Sequence, residues 1–176
     1  MDLFKSPVTL FILKALGIFI LWYLVYELYL LPNGHLDEWV SLNVVAASNG
    51  IISFLGYETW TMYRILGIYG NAGIELVDGC TGISAIGLFS GFILAYPGDW
   101  KKKVSFTLTG IGVIYIVNIL RIVVLVFTQH EWPQFFDFTH DYSTTTIFYI
   151  IIFIMWMVWV KISDGSFSSD KVVSSV

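Results

Sequence analysis

The chain has 176 residues, 57% of them hydrophobic and 12% charged, with a formal net charge of −4 and a mean hydropathy of +0.77. An average soluble domain carries roughly 25% charged residues, so these values exclude a soluble globular protein and point to one integral membrane unit. The single cysteine excludes an intrachain disulfide and any multi-cysteine metal site; no cofactor, no metal and no nucleic-acid partner are expected.

The pattern predicts an all-α polytopic membrane protein with about four transmembrane helices, each of the length a ~30 Å hydrocarbon core demands. The first span covers about residues 8–31 and ends at Pro32-Asn33-Gly34. Its apolar stretch is too long for a signal-peptide core and no small-residue cleavage site follows, so it reads as a retained helix. Residues 36–55 carry apolar positions spaced for a helix lying in the interface, with Trp39 as an anchor and Ser41, Asn43, Ser48 and Asn49 on its wetter face. Residues 59–69, the turn Gly70-Asn71-Ala72-Gly73 and residues 74–77 read as a short two-stranded hairpin. Three further spans follow at about 82–99, 104–128 and 144–160. Together they make a single membrane domain over 1–162, with a serine-rich, disordered tail over 163–176.

Lysine placement sets the orientation. Lys5, Lys14, Lys101, Lys102, Lys103, Lys161 and Lys171 fall on one side of the four-span arrangement, Arg64 and Arg121 on the other. Both termini and the triple-lysine loop therefore belong in the cytoplasm, and segments 32–81 and 129–143 face outward. The acids Asp37, Glu38, Glu58, Glu75, Asp78, Glu131, Asp137 and Asp141 agree, since all lie outside.

Arg121 is the residue that calls for an explanation, because a guanidinium inside an apolar span costs on the order of 3 kcal/mol or more and marks a site. At ~1.5 Å rise per residue, Cys80 lies about 30 Å from Lys101 along its span, Arg121 about 27 Å from Lys103, and His140 about 30 Å from Lys161. Cysteine, histidine and arginine thus share one depth, near the outer boundary. A thiolate at a helix N-terminus is stabilised by unpaired N–H groups, and Gly79 and Gly82 leave room for a substrate backbone. Histidine can take the thiol proton and return it to a leaving amine. Arginine can steady the thiolate or an oxyanion. The set describes acyl transfer through a thioester.

Cys80-Thr81-Gly82-Ile83 at a span start, Asn118-Ile119-Leu120-Arg121 in the next span and Phe138-Thr139-His140 before the last stand in an ordered series that resembles the exosortase/archaeosortase family. The resemblance covers about residues 73–160 and extends weakly from residue 36. It implies a membrane protease/transpeptidase that cleaves C-terminal sorting signals of exported proteins at the outer face of the cell (inner) membrane, with transfer to a surface acceptor. Cys80 would be the nucleophile, with Arg121 and His140 its partners; Gly79, Thr81, Gly82, Asn118, Asp78 and Glu75 are the candidates for substrate contact. Many family members have about eight spans, so this chain resembles a short one.

The residues also admit other readings. Arg121 can pair structurally with Glu27, making the protein a non-catalytic scaffold or assembly subunit. A channel or transporter would need more polar groups through the spans than Arg121, Asn118 and Glu27. His130 competes with His140 for the proton-transfer role, whereas His35 reads as a surface loop residue. The aromatics read as interface belts and lipid-facing bulk. The oligomeric state stays open.

Overall fold

A computed structural model describes residues 6–173, leaving aside the side chains of residues 7, 143–145 and 164–173. Pro7 opens helix α1 (Pro7–Val25) at a position where its missing N–H costs nothing. The helix widens into a π turn at Tyr26–Leu30, tightens again as α2 (Leu31–Asn33), and gives way at Gly34 to α3 (His35–Phe54). Three antiparallel strands follow in the order β1 (Thr59–Met62), β2 (Ile65–Ile68), β3 (Ile74–Glu75). Helices α4 (Ile83–Ala95), α5 (Trp100–Glu131), the single turn α6 (Phe136–Phe138) and α7 (Thr144–Val173) complete the chain, with a second π turn at Thr139–Ser143.

Among the described residues three helical segments are long and apolar enough to cross a membrane: Val8–Asn33, Trp100–Glu131 and Pro133–Ser163. The expected second span is different. Helix α4 has 13 residues, about 20 Å, and stops at Ala95 because Pro97 cannot extend it and Gly98 turns the chain with φ 153°. The apolar sequence 82–99 is therefore not one helix.

Helix α5 is the spine. Asp99 caps it, accepting from the backbone N–H groups of Lys101 and Lys102 at 3.0 and 3.1 Å. Its 32 residues span about 48 Å and carry two cores. Near the lysine loop, Ile114 packs with Phe89 and Ile93 of α4 and Phe148, Ile152 and Trp159 of α7. At the far end Ile119, Ile122, Val123, Leu125 and Val126 pack with Val44, Val45 and Ile52 of α3 and Leu66, Ile68, Ile74 and Leu76 of the sheet region. Helix α1 lies against α4, and its remaining surface is apolar and exposed at Val8, Leu10, Ile12, Leu16, Ile20 and Leu24, as a lipid-facing helix should be.

Helix α3 shows its polar residues in an unexpected place. Asp37, Ser41, Val44, Val45, Ser48 and Ile52 form the buried face, following helical spacing. Ser41 and Ser48, read from sequence as wet, are fully buried: small hydroxyls let α3 approach α5, and each finds a carbonyl, Ser41 that of Glu38 at 2.9 Å and Ser48 that of Ile119 at 3.4 Å. Asn43 and Trp39 do face outward. The expected long strand 59–69 is itself a hairpin, pairing Thr59 with Ile68 and Met62 with Ile65; the reversal falls at Tyr63-Arg64, where Tyr63 takes φ 55°, with no glycine to announce it. Helix α7 continues to Val173 through the stretch expected to be a disordered tail. Ser163 is buried, its hydroxyl on the Pro97 carbonyl at 2.6 Å; the tail's end, 174–176, lies outside the described residues.

Candidate active site

The only cysteine of the chain is free and half-buried. It sits in a short loop ahead of α4, bounded by Gly79 (φ 87°) and Gly82 (φ 82°), left-handed positions that a side chain would strain. A Cβ on Gly82 would also touch the Asn118 side chain at 3.5 Å. Cys80 therefore precedes the helix start at Ile83 rather than occupying its first turn. Its own N–H donates to the Val77 carbonyl at 3.1 Å.

The loop is held from two sides. From α5, the fully buried Asn118 donates through Nδ2 to the carbonyls of Cys80 and Thr81, at 3.2 and 3.0 Å. From α3, the fully buried Asp37 accepts the Thr81 hydroxyl at 2.8 Å. The same carboxylate accepts the Tyr26 hydroxyl, at 3.1 Å to Oδ1 and 3.3 Å to Oδ2. The π turn helps here: Tyr26 is 2% exposed although most of its neighbours along α1 face outward, and π turns collect at functional sites. A buried carboxylate needs donors, and here all are neutral hydroxyls. Asp37 and Tyr26 were not singled out in sequence, because an acid in a first helical turn reads as a dipole partner and a span-end tyrosine as an interface anchor. Of the residues expected to touch substrate, Thr81 gives its hydroxyl to Asp37 and Asn118 gives its Nδ2 to the loop, while Asn118 Oδ1 is buried without a partner.

Arg121 stands one turn beyond Asn118 on α5. A cleft of about 150 Å³ is lined by Gly79, Gly82, Ser84, Ala85, Arg121, Phe148 and Tyr149, so the residues flanking Cys80 and the guanidinium share a wall. A second, mostly apolar cleft of about 210 Å³ runs from Arg121 between α5 and α7 past Val117, Leu120 and Ile147. The Arg121 Nε is buried without a hydrogen-bond partner, and among the described residues no carboxylate pairs with Arg121. The Glu27 pairing is not made; Glu27 lines a separate cavity.

His140 occupies the π turn Thr139–Ser143 ahead of α7, a turn that packs against α5. Its Nδ1 lies 2.8 Å from Asp141 Oδ1 and its ring stacks on Phe136 at 5.9 Å. It does not line the 150 Å³ cleft; Phe148 and Tyr149, about two turns further along, do. His130 is engaged elsewhere, with Nδ1 2.9 Å from Asn71 Nδ2 and its ring edge-on to Tyr57. His35 is exposed at the start of α3. Asp78 is ion-paired with Arg64 at 2.6 Å, and Glu75 is exposed on β3. Of the expected set, the structure brings together Gly79, Gly82 and Arg121 around the Cys80 loop and leaves His140, Glu75 and Asp78 off that cleft.

The family described as transmembrane exosortase (Exosortase_EpsH) matches residues 3–157. The chain belongs to the transmembrane exosortase family. Among curated relatives of this exosortase, the probable archaeosortase D of Methanocaldococcus jannaschii is 32% identical over 94 residues, which is 53% of this chain and 59% of that protein. The match thus spans little more than half the relative's length. No solved structure matches the exosortase chain.

Proposed function

We propose that this exosortase is a membrane-embedded cysteine protease/transpeptidase that cleaves C-terminal sorting signals of exported proteins at the outer face of the membrane. The observation that carries the reading is the Cys80 loop, pinned by Asn118 and Asp37 beside a cleft into which an unpaired arginine is set. Membership of the family and the similarity to a probable archaeosortase support the same class of reaction.

In this reading the Cys80 sulfur attacks the scissile carbonyl and forms a tetrahedral oxyanion. Arg121 stabilises the charge, first on the thiolate and then on the oxyanion, in a site poor in water where such a donor is worth roughly 3–4 kcal/mol. Collapse expels the amine of the sorting signal and leaves a thioester on Cys80. His140 moves the proton: with Nδ1 held by the Asp141 carboxylate, Nε2 is the nitrogen that accepts from the thiol and donates to the leaving amine. The π turn carrying it must close toward the cleft when substrate lies between α5 and α7, in keeping with catalytic contacts that tighten only in the loaded enzyme. The thioester then passes to water or to a surface acceptor.

The test is to trap the acyl-enzyme in membranes and identify by mass spectrometry the polypeptide joined to Cys80. Cys80→Ala and Cys80→Ser are expected to abolish processing while the protein still accumulates in the membrane. Normal processing by either variant rules the reading out.

A further inference from the structure

Asn118 and Asp37 hold the far side of the Cys80 loop, the first on the carbonyls of Cys80 and Thr81, the second on the Thr81 hydroxyl. The near side is a tight turn. The Cys80 N–H donates to the Val77 carbonyl at 3.1 Å, with Asp78 and Gly79 at the corner. Gly79 takes φ 87°, which a type II turn requires of its third residue. Cys80 closes that turn, so the direction of its side chain follows where the turn is placed. Apart from its chain neighbours, nothing lies within 4 Å of the point a Gly79 Cβ would occupy, and packing does not fix this corner.

Arg64 does. Its Nη1 lies 2.6 Å from Asp78 Oδ1, and its side chain is 13% exposed against 43% for Asp78. Its carbonyl accepts the Leu76 N–H at 2.9 Å, so backbone and side chain both meet the segment that runs into the turn. Arg64 stands at the reversal between β1 and β2, beside Tyr63 with φ 55°. Residues with side chains avoid that conformation and keep it only where their surroundings impose it. The Tyr63 hydroxyl is in turn held by Glu38. Neighbouring residues of α3 therefore grip both sides of the loop: Asp37 through Thr81, and Glu38 through Tyr63, Arg64 and Asp78. The Nε and Nη2 of Arg64 are buried without hydrogen-bond partners. A buried guanidinium with donors unmet is a poor source of stability, whereas one short ion pair at a turn corner sets a position.

We propose that Arg64 is a positioning residue for the nucleophile: through Asp78 it sets the corner of the turn that presents the Cys80 thiol to the Arg121 side of the cleft. This rests on the thioester reading above. Arg64 touches no reacting group, and its effect passes through a single turn. A displacement of about 1 Å at a reacting atom is enough to cost roughly a hundredfold in rate. Loss of the ion pair therefore slows the step in which Cys80 and Arg121 act on the same carbonyl, and spares thiol reactions that develop no oxyanion.

Because the chain has one cysteine, thiol probes on the full chain in detergent report on Cys80 alone. A methanethiosulfonate nitroxide on Cys80 is expected to give an immobilised electron paramagnetic resonance spectrum in the unaltered and Arg64→Lys proteins, and a mobile one in Arg64→Gln and Asp78→Ala. A spectrum that none of these changes alters overturns the proposal; Asp78→Ala, at the more exposed partner, decides it where Arg64→Gln does not accumulate. Acylation of the unlabelled thiol by p-nitrophenyl acetate, corrected with Cys80→Ala, is expected to fall roughly tenfold to a hundredfold in Arg64→Gln and Asp78→Ala and to recover in part with Arg64→Lys. Alkylation by iodoacetamide is expected to stay unchanged. Equal loss in both reactions reports a damaged fold and overturns the positioning role. In an Arg121→Ala background, Arg64→Gln should slow acylation no further, and additive losses overturn the coupling to Arg121. An unaltered Cys80 that p-nitrophenyl acetate does not acylate overturns the thioester reading, and the nitroxide spectra then decide by themselves whether Arg64 holds the turn.

Discussion

Asp37 and Arg121 are both charged groups held within the packed part of the fold, on helices that touch each other, and they are treated in opposite ways. Asp37 is fully enclosed and takes hydroxyl donors from two other segments, Tyr26 and Thr81. Arg121 opens on two clefts and its Nε has no partner. A buried charge whose hydrogen bonds are all made within the protein ties segments together; one left without a partner beside a cleft ties nothing together and stays able to meet a group that enters. The Cys80 loop lies between the two, fastened by the first region and facing the second.

That contrast can be broken by mutation. Arg121→Ala is expected to have the largest effect, lowering sorting-signal processing by about 10²–10³-fold, equivalent to roughly 2.7–4 kcal/mol, with membrane abundance unchanged on a quantitative blot. A parallel loss of abundance would place Arg121 with Asp37 as a structural group. Asp37→Ala should do the reverse, leaving the Thr81 and Tyr26 hydroxyls unsatisfied and costing about 2–3 kcal/mol of stability, read as a lower Tm in detergent; an unchanged Tm would show that the carboxylate is not what ties α1, α3 and the loop. Gly87→Val forces a side chain into the Trp22 ring and should cost about 1–3 kcal/mol by overpacking, again read from Tm. Ser48→Ala removes a long hydrogen bond of 3.4 Å and should move Tm by the equivalent of less than about 0.5 kcal/mol.

The smallest effect concerns the exposed turn of the hairpin. The Glu38 carboxylate, accepting the Tyr63 hydroxyl, pushes the Tyr63 pKa above the ordinary tyrosine value, with some burial adding to it. A raised value means that the contact's contribution is complete below the usual tyrosine pKa and is lost as pH climbs through the raised one. Ultraviolet titration of Tyr63→Phe and Glu38→Gln proteins should show, respectively, that one late-ionising tyrosine has gone and that it has returned to the ordinary range. A titration identical in all three proteins would dismiss the contact.

Much of this fold was legible along the chain, and the failures share a cause. The long spans, the helix over 35–54 and the strand-forming region are written in hydropathy and periodicity, which depend on neighbours in sequence. Composition alone made 82–99 look like one span, although Pro97 and Gly98 end the helix early. The inward turn of Ser41 and Ser48 was misread because a hydroxyl looks wet until α5 lies against it. For the site, Gly79 and Gly82, on either side of the Cys80–Thr81 pair, line one cleft with Arg121. His140 stands off that cleft because the residues of α7 that line it, Phe148 and Tyr149, lie about two turns further along, so a rise counted from Lys161 did not give its place.

Hydropathy, the charge asymmetry and the order of the Cys80, Arg121 and His140 segments established a polytopic membrane protein and its family resemblance, because each is a local property of the chain. Tertiary structure alone decided that Asp37 grips Thr81, that Tyr26 turns inward through a π turn, and that Glu27 lines an aromatic cavity instead of neutralising Arg121. Those outcomes hinge on which helix faces meet across distant stretches of chain, and burial acts on a polar group only once its neighbours are in place.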